Sequence, residues 1–359
     1  MRICVLGGGN GAYAAAADLG HLGHEVALWR RDAAALAPLR SDPVLTLKNS
    51  DGEHRVPLAD VTPDIGQALR GAALVVVPVP AFAQADIARA MAAHLQDGQV
   101  IFLPPGSFGS VSMMREIRAA GCRADVAFAE TGTLPWLTRK HGPTTIAVTV
   151  RATRLPTGVY PARKAGRALA VLRAAFPSVE PAEDALAGAL LNAGPVIHPP
   201  LILMNAGPLE HFERWDIHNE GTQPSIRRVT NALDLERIAV RQALGYSAEH
   251  FPLRDHYEND RWMYGDAHRQ LVKSGDWREH IPLTAHRYMT EDVHIGLAFL
   301  VSVGAWAGVD TPLAAGLLAM AGAICGIDLR QGPRTLGGLG LASLTPAQMT
   351  ALLTEGEAP

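Results

Sequence analysis

Apolar and polar positions are arranged in short blocks along the first half of the chain. RICVL, residues 2–6, is an apolar run that stops at three glycines; a stretch of small residues at helical spacing follows, and a second apolar run, Val26 to Trp29, ends in Arg30, Arg31 and Asp32. Further on, LTLKNSDGEHRVPL alternates about a Ser-Asp-Gly turn and predicts a hairpin. Short β-rich runs occupy residues 71–80, 97–106, 123–130 and 144–150, and helical segments such as AQADIARAMAAHL and VSMMREIRAAG separate most of them. Strands and helices alternating at this spacing predict a mostly parallel sheet covered on both faces. The expected N-terminal domain, residues 1–181, is therefore an α/β Rossmann domain with a doubly wound, mostly parallel sheet.

From Ala182 onward strand-like runs nearly vanish, and helical stretches such as SIRRVTNALDLERIAVRQALGY and MTEDVHIGLAFLVSVGAWAG dominate. An all-α C-terminal domain, residues 182–359, is the expectation, with TEGEAP at the end read as a loose tail. The stretch from Leu297 to Ile327 is apolar enough to raise the question of a membrane span. Asp310 and Pro312 divide it into segments shorter than the roughly 20 residues a span needs. Two buried helices are predicted instead, the second capped by Thr311 with Pro312 in its first turn.

Composition narrows the choice of partner. At 359 residues the chain exceeds one comfortable core, which supports two domains. The formal net charge is −3 and no long Lys/Arg run occurs, which argues against nucleic acid and anionic membrane and for small molecules. Cys4, Cys122 and Cys325 are far apart and lack CxxC or Cys/His ligand spacing, which suits a reducing compartment. The first strand breaks at Gly7, too early for a signal-peptide core, so a cytoplasmic location is expected.

Glycines between a strand and a helix have a physical purpose: one permits the sharp turn, one lets backbone approach a pyrophosphate, and a small third residue lets helix pack on strand. The register here is Gly7, Gly9 and Ala12. The expected cofactor-binding set is Gly7, Gly9, Asn10, Gly11, Ala12, Arg30, Arg31 and Pro78. Arg30 falls near the offset where an acidic residue would take a ribose 2′-hydroxyl. A guanidinium there grips a 2′-phosphate through charge-assisted hydrogen bonds, which favours NADP. The alternative is NAD, with Arg30 and Arg31 solvated or stacked on adenine.

In the second half, His198 lies between an interrupted apolar helix and two prolines, with Asn192 and Asn205 as polar residues in apolar surroundings. Glu291 and Asp292 open another helix. A satisfied core histidine and carboxylates that merely complement a helix dipole are the plain alternatives.

Four stretches taken in order, VLGGGNGAYAAAADL, AETGTLPW, NAGPVIHP and RYMTEDVHIGL, resemble the opine dehydrogenases, the octopine and nopaline dehydrogenase group. The resemblance spans nearly the whole chain. It implies a Rossmann domain and a helical domain with the active site in the cleft between them, and the reversible reductive condensation of an amino acid's amine with a 2-keto acid using NADH or NADPH. On it, His198 matches the catalytic histidine, Asp292 the carboxylate that pairs with it, and Arg287 a substrate-binding arginine. Asn192 and Trp136 are further expected substrate contacts, although Trp136 stands where many members carry tyrosine.

The chemistry asks for the same residue types. Reducing an imine made from an amine and a keto acid needs proton transfers near neutral pH, a task for imidazole. A carboxylate fixes its tautomer, and an arginine fork suits the substrates' carboxylates. No metal is expected: His211/His218 and His250/His256 lack a ligand pattern and HExxH is absent. Rival readings are another dehydrogenase of Rossmann plus helical-domain build, related to glycerol-3-phosphate dehydrogenase or ketopantoate reductase and typically dependent on a lysine, and a non-catalytic NADP-sensing protein. The apolar helices after Leu297 line either the domain core or a homodimer interface.

Overall fold

The computed structural model describes residues 1–274 and 277–356. The chain divides into two compact units, one of residues 1–188 joined by the segment from Ala351, the other Ala189–Thr350. The break therefore falls after Gly188, not after residue 181. Close backbone packing explains the difference: a methyl group at Gly188 would lie 2.7 Å from the carbonyl oxygen of Glu130, and one at Gly158 only 1.9 Å from that of Asp184. Residues 182–188 are thus held against the sheet of the first unit. The expected loose tail begins inside the final helix, Pro346–Glu355, and residues 357–359 lie outside the described residues.

Strands of the first unit are β1 (Arg2–Leu6), β2 (Glu25–Trp29), β3 (Val44–Asn49), β4 (Gly52–Pro57), β5 (Asp60–Thr62), β6 (Leu74–Val76), β7 (Val100–Leu103), β8 (Ala127–Thr131), β9 (Trp136–Lys140), β10 (Thr145–Arg151), β11 (Leu155–Tyr160) and β12 (Val179–Pro181). Eight form one sheet in the order β12-β11-β8-β7-β6-β1-β2-β5, parallel except where β11 meets β8. Ile3, Cys4, Val5 and Leu6 are wholly buried, as expected of a central strand covered on both faces. The chain runs from β1 to β2 on one side and later returns to β6 on the other. The carboxyl end of β1 is therefore the topological switch point, where open α/β sheets take their ligands.

The run at 144–150 does not join this sheet. It forms β10 in a second, four-stranded sheet ordered β4-β3-β10-β9, which contains the predicted β3–β4 hairpin. A buried charge ties that sheet to the first helix, Asn10–His21. Asp18 accepts hydrogen bonds from Trp136 Nε1 of β9 at 2.7 Å and from Arg151 Nε of β10 at 2.9 Å. Such a carboxylate is tolerable inside only because both of its oxygens are satisfied. Glu130 at the end of β8 plays a similar part, accepting the backbone N–H groups of Phe108 and Ser110 and the Ser110 hydroxyl at the start of the helix Gly109–Ala119.

Among the described residues the second unit is helical apart from one ladder, Trp215–Asp216 against Arg278–Glu279. Its centre is the long helix Pro224–Ala243, where buried Arg237 pairs with Asp234 at 2.7 Å and donates to the carbonyls of Leu190 and His250. The apolar stretch after Leu297 is cut as predicted into the helices Ala298–Trp306 and Pro312–Cys325. Thr311 occupies the N-cap position but its side chain makes no capping bond. Glu236 takes that role, accepting from Leu313 N at 2.8 Å and Ala314 N at 2.9 Å. Ala185–Met204 is long and apolar enough to pass as a span, yet 83 % of that window is buried inside the protein.

Replacing Glu236 by Ala should therefore remove a cap supplied from another helix and cost about 1 kcal/mol. A lowered urea midpoint with an unchanged slope is the expected result.

Candidate active site

The glycine turn closes as its residue types require. Gly7 has a φ of 138°, and its N–H donates to the carbonyl of Trp29 at 2.9 Å. A methyl group there would press on Ala12 Cβ and Val79 Cγ1 at 3.3 Å, and one at Gly11 on Leu134 at 3.0 Å and Pro78 at 3.1 Å. Around Gly9, by contrast, nothing lies within 4 Å of where a side chain would start. The Asn10–His21 helix opens here with no acidic residue in its first turn. Open backbone at a helix N-terminus fits the phosphates of a dinucleotide.

Not every expected cofactor residue is placed alike. Asn10 Oδ1 is engaged by the backbone N–H of Lys140 at 3.0 Å, which ties the turn to β9. Arg30 folds back over Gly8, where a methyl group would meet its Cδ and Nε at 2.6 Å. Arg31 turns away: its side chain is 68 % exposed and reaches Asp86 at 3.9 Å. The two arginines are therefore not equivalent, and only Arg30 lies at the turn. Trp136, expected on the substrate side, is instead a core residue. It is 2 % exposed, with its N–H committed to Asp18 and its ring edge-on to Phe176.

In the second unit the structure brings His198 and Asp292 together. His198 sits on the helix Gly194–Met204, which continues through Pro199 and Pro200, and Asp292 on the helix Tyr288–Leu297. The two side chains meet at 2.7 Å, Nδ1 to Oδ2, with His198 14 % exposed and Asp292 4 %. A carboxylate accepts, so Asp292 makes Nδ1 the protonated nitrogen of a neutral His198 and leaves Nε2 as the ring's acceptor. Asn192 lies beside this pair, its Oδ1 accepting from Gly194 N at 3.1 Å as the chain turns into the His198 helix.

Residues 288–297 are wound as a π-helix and not in the α-helical period the sequence suggested. In π winding, residues four and five apart share a face, so Arg287, Tyr288 and Asp292 converge. Arg287 is exposed and, among the described residues, pairs with no carboxylate side chain within ion-pair distance. Desolvation draws its pKa down, but the field of Asp292, with Tyr288 and Glu291, outweighs this and holds it above the ordinary value.

Tyr288 and His218 were not singled out for this site. The Tyr288 ring stacks on His198 at 3.7 Å with 13° between planes, and its hydroxyl lies 2.7 Å from His218 Nε2. His218 packs edge-on against Trp277 in turn. Only the position of Tyr288 next to Arg287 offered a signal, because His218 is 70 residues away in sequence.

The first unit thus offers a switch-point glycine turn and the second a buried histidine–carboxylate pair beside an exposed arginine. Residues 181–325 match the family described as NAD/NADP octopine/nopaline dehydrogenase, alpha-helical domain, and residues 2–107 the NAD-dependent glycerol-3-phosphate dehydrogenase N-terminus. The chain is 29 % identical over 346 residues to an opine dehydrogenase of Arthrobacter sp. (strain 1C), covering 96 % of both. Its fold is similar to octopine dehydrogenase in complex with NADH and agmatine (TM-score 0.73, 22 % identity, 100 % and 99 % coverage). It is also similar to NADP+-bound yersinopine dehydrogenase (TM-score 0.68, 16 % identity, 99 % and 98 % coverage). Residues 181–325 thus carry the helical domain of the octopine/nopaline dehydrogenase group, and over nearly its whole length the chain is similar to opine dehydrogenases, which supports an NAD(P)-dependent oxidoreductase.

Gly194→Ala would put a methyl carbon 2.1 Å from Asp292 Oδ1. The variant should lose about 10²-fold or more in turnover of dinucleotide by displacing the pair. Asp292→Asn should match that loss, whereas near-normal turnover in Gly194→Ala would show that the pair's geometry is unimportant.

Proposed function

We propose that this protein is an opine dehydrogenase that reversibly condenses the amine of an amino acid with a 2-keto acid, acting on a CH–NH bond in the reverse direction, with NADP preferred over NAD. The observation that carries the reading is the 2.7 Å His198–Asp292 contact beside Arg287. Relatives named opine dehydrogenase, and neighbours of the same fold bound to NADH or NADP+, support it.

NAD(P)H, when bound at the glycine turn, supplies the hydride that reduces the imine carbon. His198 Nε2 holds and moves the proton at the oxygen leaving from the keto acid or at the new secondary amine. Asp292 keeps the ring in the required tautomer and stabilises its protonated form. Tyr288, stacked on the ring, restricts its rotation and excludes water from one face. Arg287 binds a substrate carboxylate through its guanidinium fork. Asn192 holds the start of the His198 helix and stands as a secondary contact to substrate.

The glycerol-3-phosphate and ketopantoate reductase alternative needs a lysine in the helical unit. The single lysine between residues 189 and 350 is Lys273, which is exposed at the end of the helix Ala267–Ser274. That placement favours the histidine-based reading.

The direct test is NADPH oxidation with pyruvate or 2-oxoglutarate plus each of several amino acids, repeated with NADH. His198→Ala should lose at least 10²-fold in kcat while dinucleotide affinity changes little. Wild-type turnover in that variant, or dinucleotide binding without turnover across the panel, would overturn the assignment. Arg30→Ala should raise KM for NADPH more than for NADH, and Arg31→Ala should do so less.

A further inference from the structure

We propose that Lys140 and Arg30 form a two-cation clamp for a phosphate of the dinucleotide cofactor, with the lysine supplied by the small second sheet. This rests on the reading that the chain binds a nicotinamide dinucleotide. Lys140 ends β9, and its backbone N–H is fixed to Asn10 Oδ1 at the glycine turn. Its ammonium nitrogen then lies 3.5 Å from the carbonyl oxygen of Gly8 and 3.3 Å from the centre of the Tyr13 ring. Arg30 reaches the same residue, Gly8, from the end of β2. Two cations supplied by different sheets thus converge on one glycine.

Among the described residues one carboxylate, Asp32, meets this pair of cations, and it meets Arg30 alone. Lys140 has no carboxylate partner within ion-pair distance, and the carboxylate facing Arg30 is Asp32, 3.8 Å away. The partially positive N-terminus of the Asn10–His21 helix adds to the excess. The Tyr13 hydroxyl, on the ring that Lys140 covers, is buried without a hydrogen-bond partner. Burial, and then the charge of Arg30, depress the Lys140 pKa to about 8. Cations held together at this cost in a net acidic protein are explained by an anion that binds between them. Beside a glycine turn of this geometry that anion is a phosphate.

The clamp predicts a pH dependence of binding. The groups facing Lys140 are Arg30, with Asp32 beyond it, the Tyr13 ring and the Asn10 amide. A bound phosphate favours protonated Lys140 and raises its pKa above that of the free protein. Cofactor affinity is therefore full below about pH 8 and weakens as pH rises through that value, by up to about tenfold per unit. A guanidinium stays charged throughout this range, and the second ionisation of a phosphate monoester, near 6, is complete below it.

Dissociation constants for NADPH and NADH, measured by fluorescence titration of the full chain between pH 7 and 9.5, provide the test. K140M should weaken NADPH at pH 7 by about tenfold or more and abolish the pH dependence. K140R should retain affinity and lose only the pH dependence, which separates charge from any disturbance of folding. A larger loss for NADPH than for NADH supports a clamp on the 2′-phosphate, and equal losses support one on the pyrophosphate. Unchanged affinity and an unchanged pH profile in K140M would overturn the clamp while leaving the proposed function intact. Failure of the wild-type chain to bind either dinucleotide would overturn both.

Discussion

Two missing side chains set how closely a pair of helices approach, and the chemistry of residues 189–350 depends on that spacing. At Gly194 a methyl group would stand 2.1 Å from Asp292 Oδ1, and at Gly296 one would stand 2.2 Å from Pro195 Cγ. The π-helix and the first residues of the His198 helix therefore touch backbone to side chain in both directions. Only in that arrangement does a carboxylate 94 residues distant in sequence come to 2.7 Å from the imidazole. Glycine in a helix interior is destabilising by roughly 0.5–1 kcal/mol relative to alanine. Gly194 opens its helix and escapes most of that cost, Gly296 does not, and the approach the two permit holds Asp292, 4 % exposed, against His198.

The π winding follows from the same constraint. An α-helix would place residues five apart well round its circumference, whereas an i→i+5 pattern returns Arg287 to the face of Asp292 and keeps Tyr288 there too. Tyr288 can then stack on His198 and pass its hydroxyl to His218. One irregular element thus supplies the orienting carboxylate, the stacking ring and an exposed cation. Replacing it by a regular helix would keep the hydrophobic pattern and scatter the polar groups. This is why Glu291 and Asp292 look like simple dipole partners when only the α-helical period is considered.

What was legible in the sequence is what local pattern encodes. The glycine turn, the alternation of short strands and helices, and the change to helix after Ala182 each depend on neighbours within a few residues, and all correspond to observed elements. Long-range pairing was not legible. The run at 144–150 has the composition of any buried strand, and nothing local says that it pairs with β3 and β9. Trp136 looks like a pocket wall until Asp18, 118 residues away, takes its N–H. Thr311 has the chemistry of a cap, but Glu236 displaces it from another helix. The motifs at His198 and Asp292 were visible, whereas their supports, Tyr288, His218 and the two close-contact glycines, are defined by geometry alone.

Charge placement separates supporting ion pairs from groups that wait for a ligand. Within the fold, carboxylates meet cations at close range: Asp18 with Arg151, Glu180 with Arg154, Asp234 with Arg237. Each such pair satisfies itself and offers nothing to a ligand. Arg30 and Lys140 break the pattern by approaching one another, and Arg287 breaks it by remaining exposed near a carboxylate that His198 already holds. A chain with a net charge of −3 has acidic residues enough to pair these three. Arg30 has only the 3.8 Å contact to Asp32, and Lys140 and Arg287 have no carboxylate within ion-pair distance among the described residues; on the proposed function they await anions, phosphate at the glycine turn and carboxylate at the π-helix. Under that proposal each unit by itself presents positive charge to one part of the reaction, the first to the dinucleotide and the second to the acids it would join.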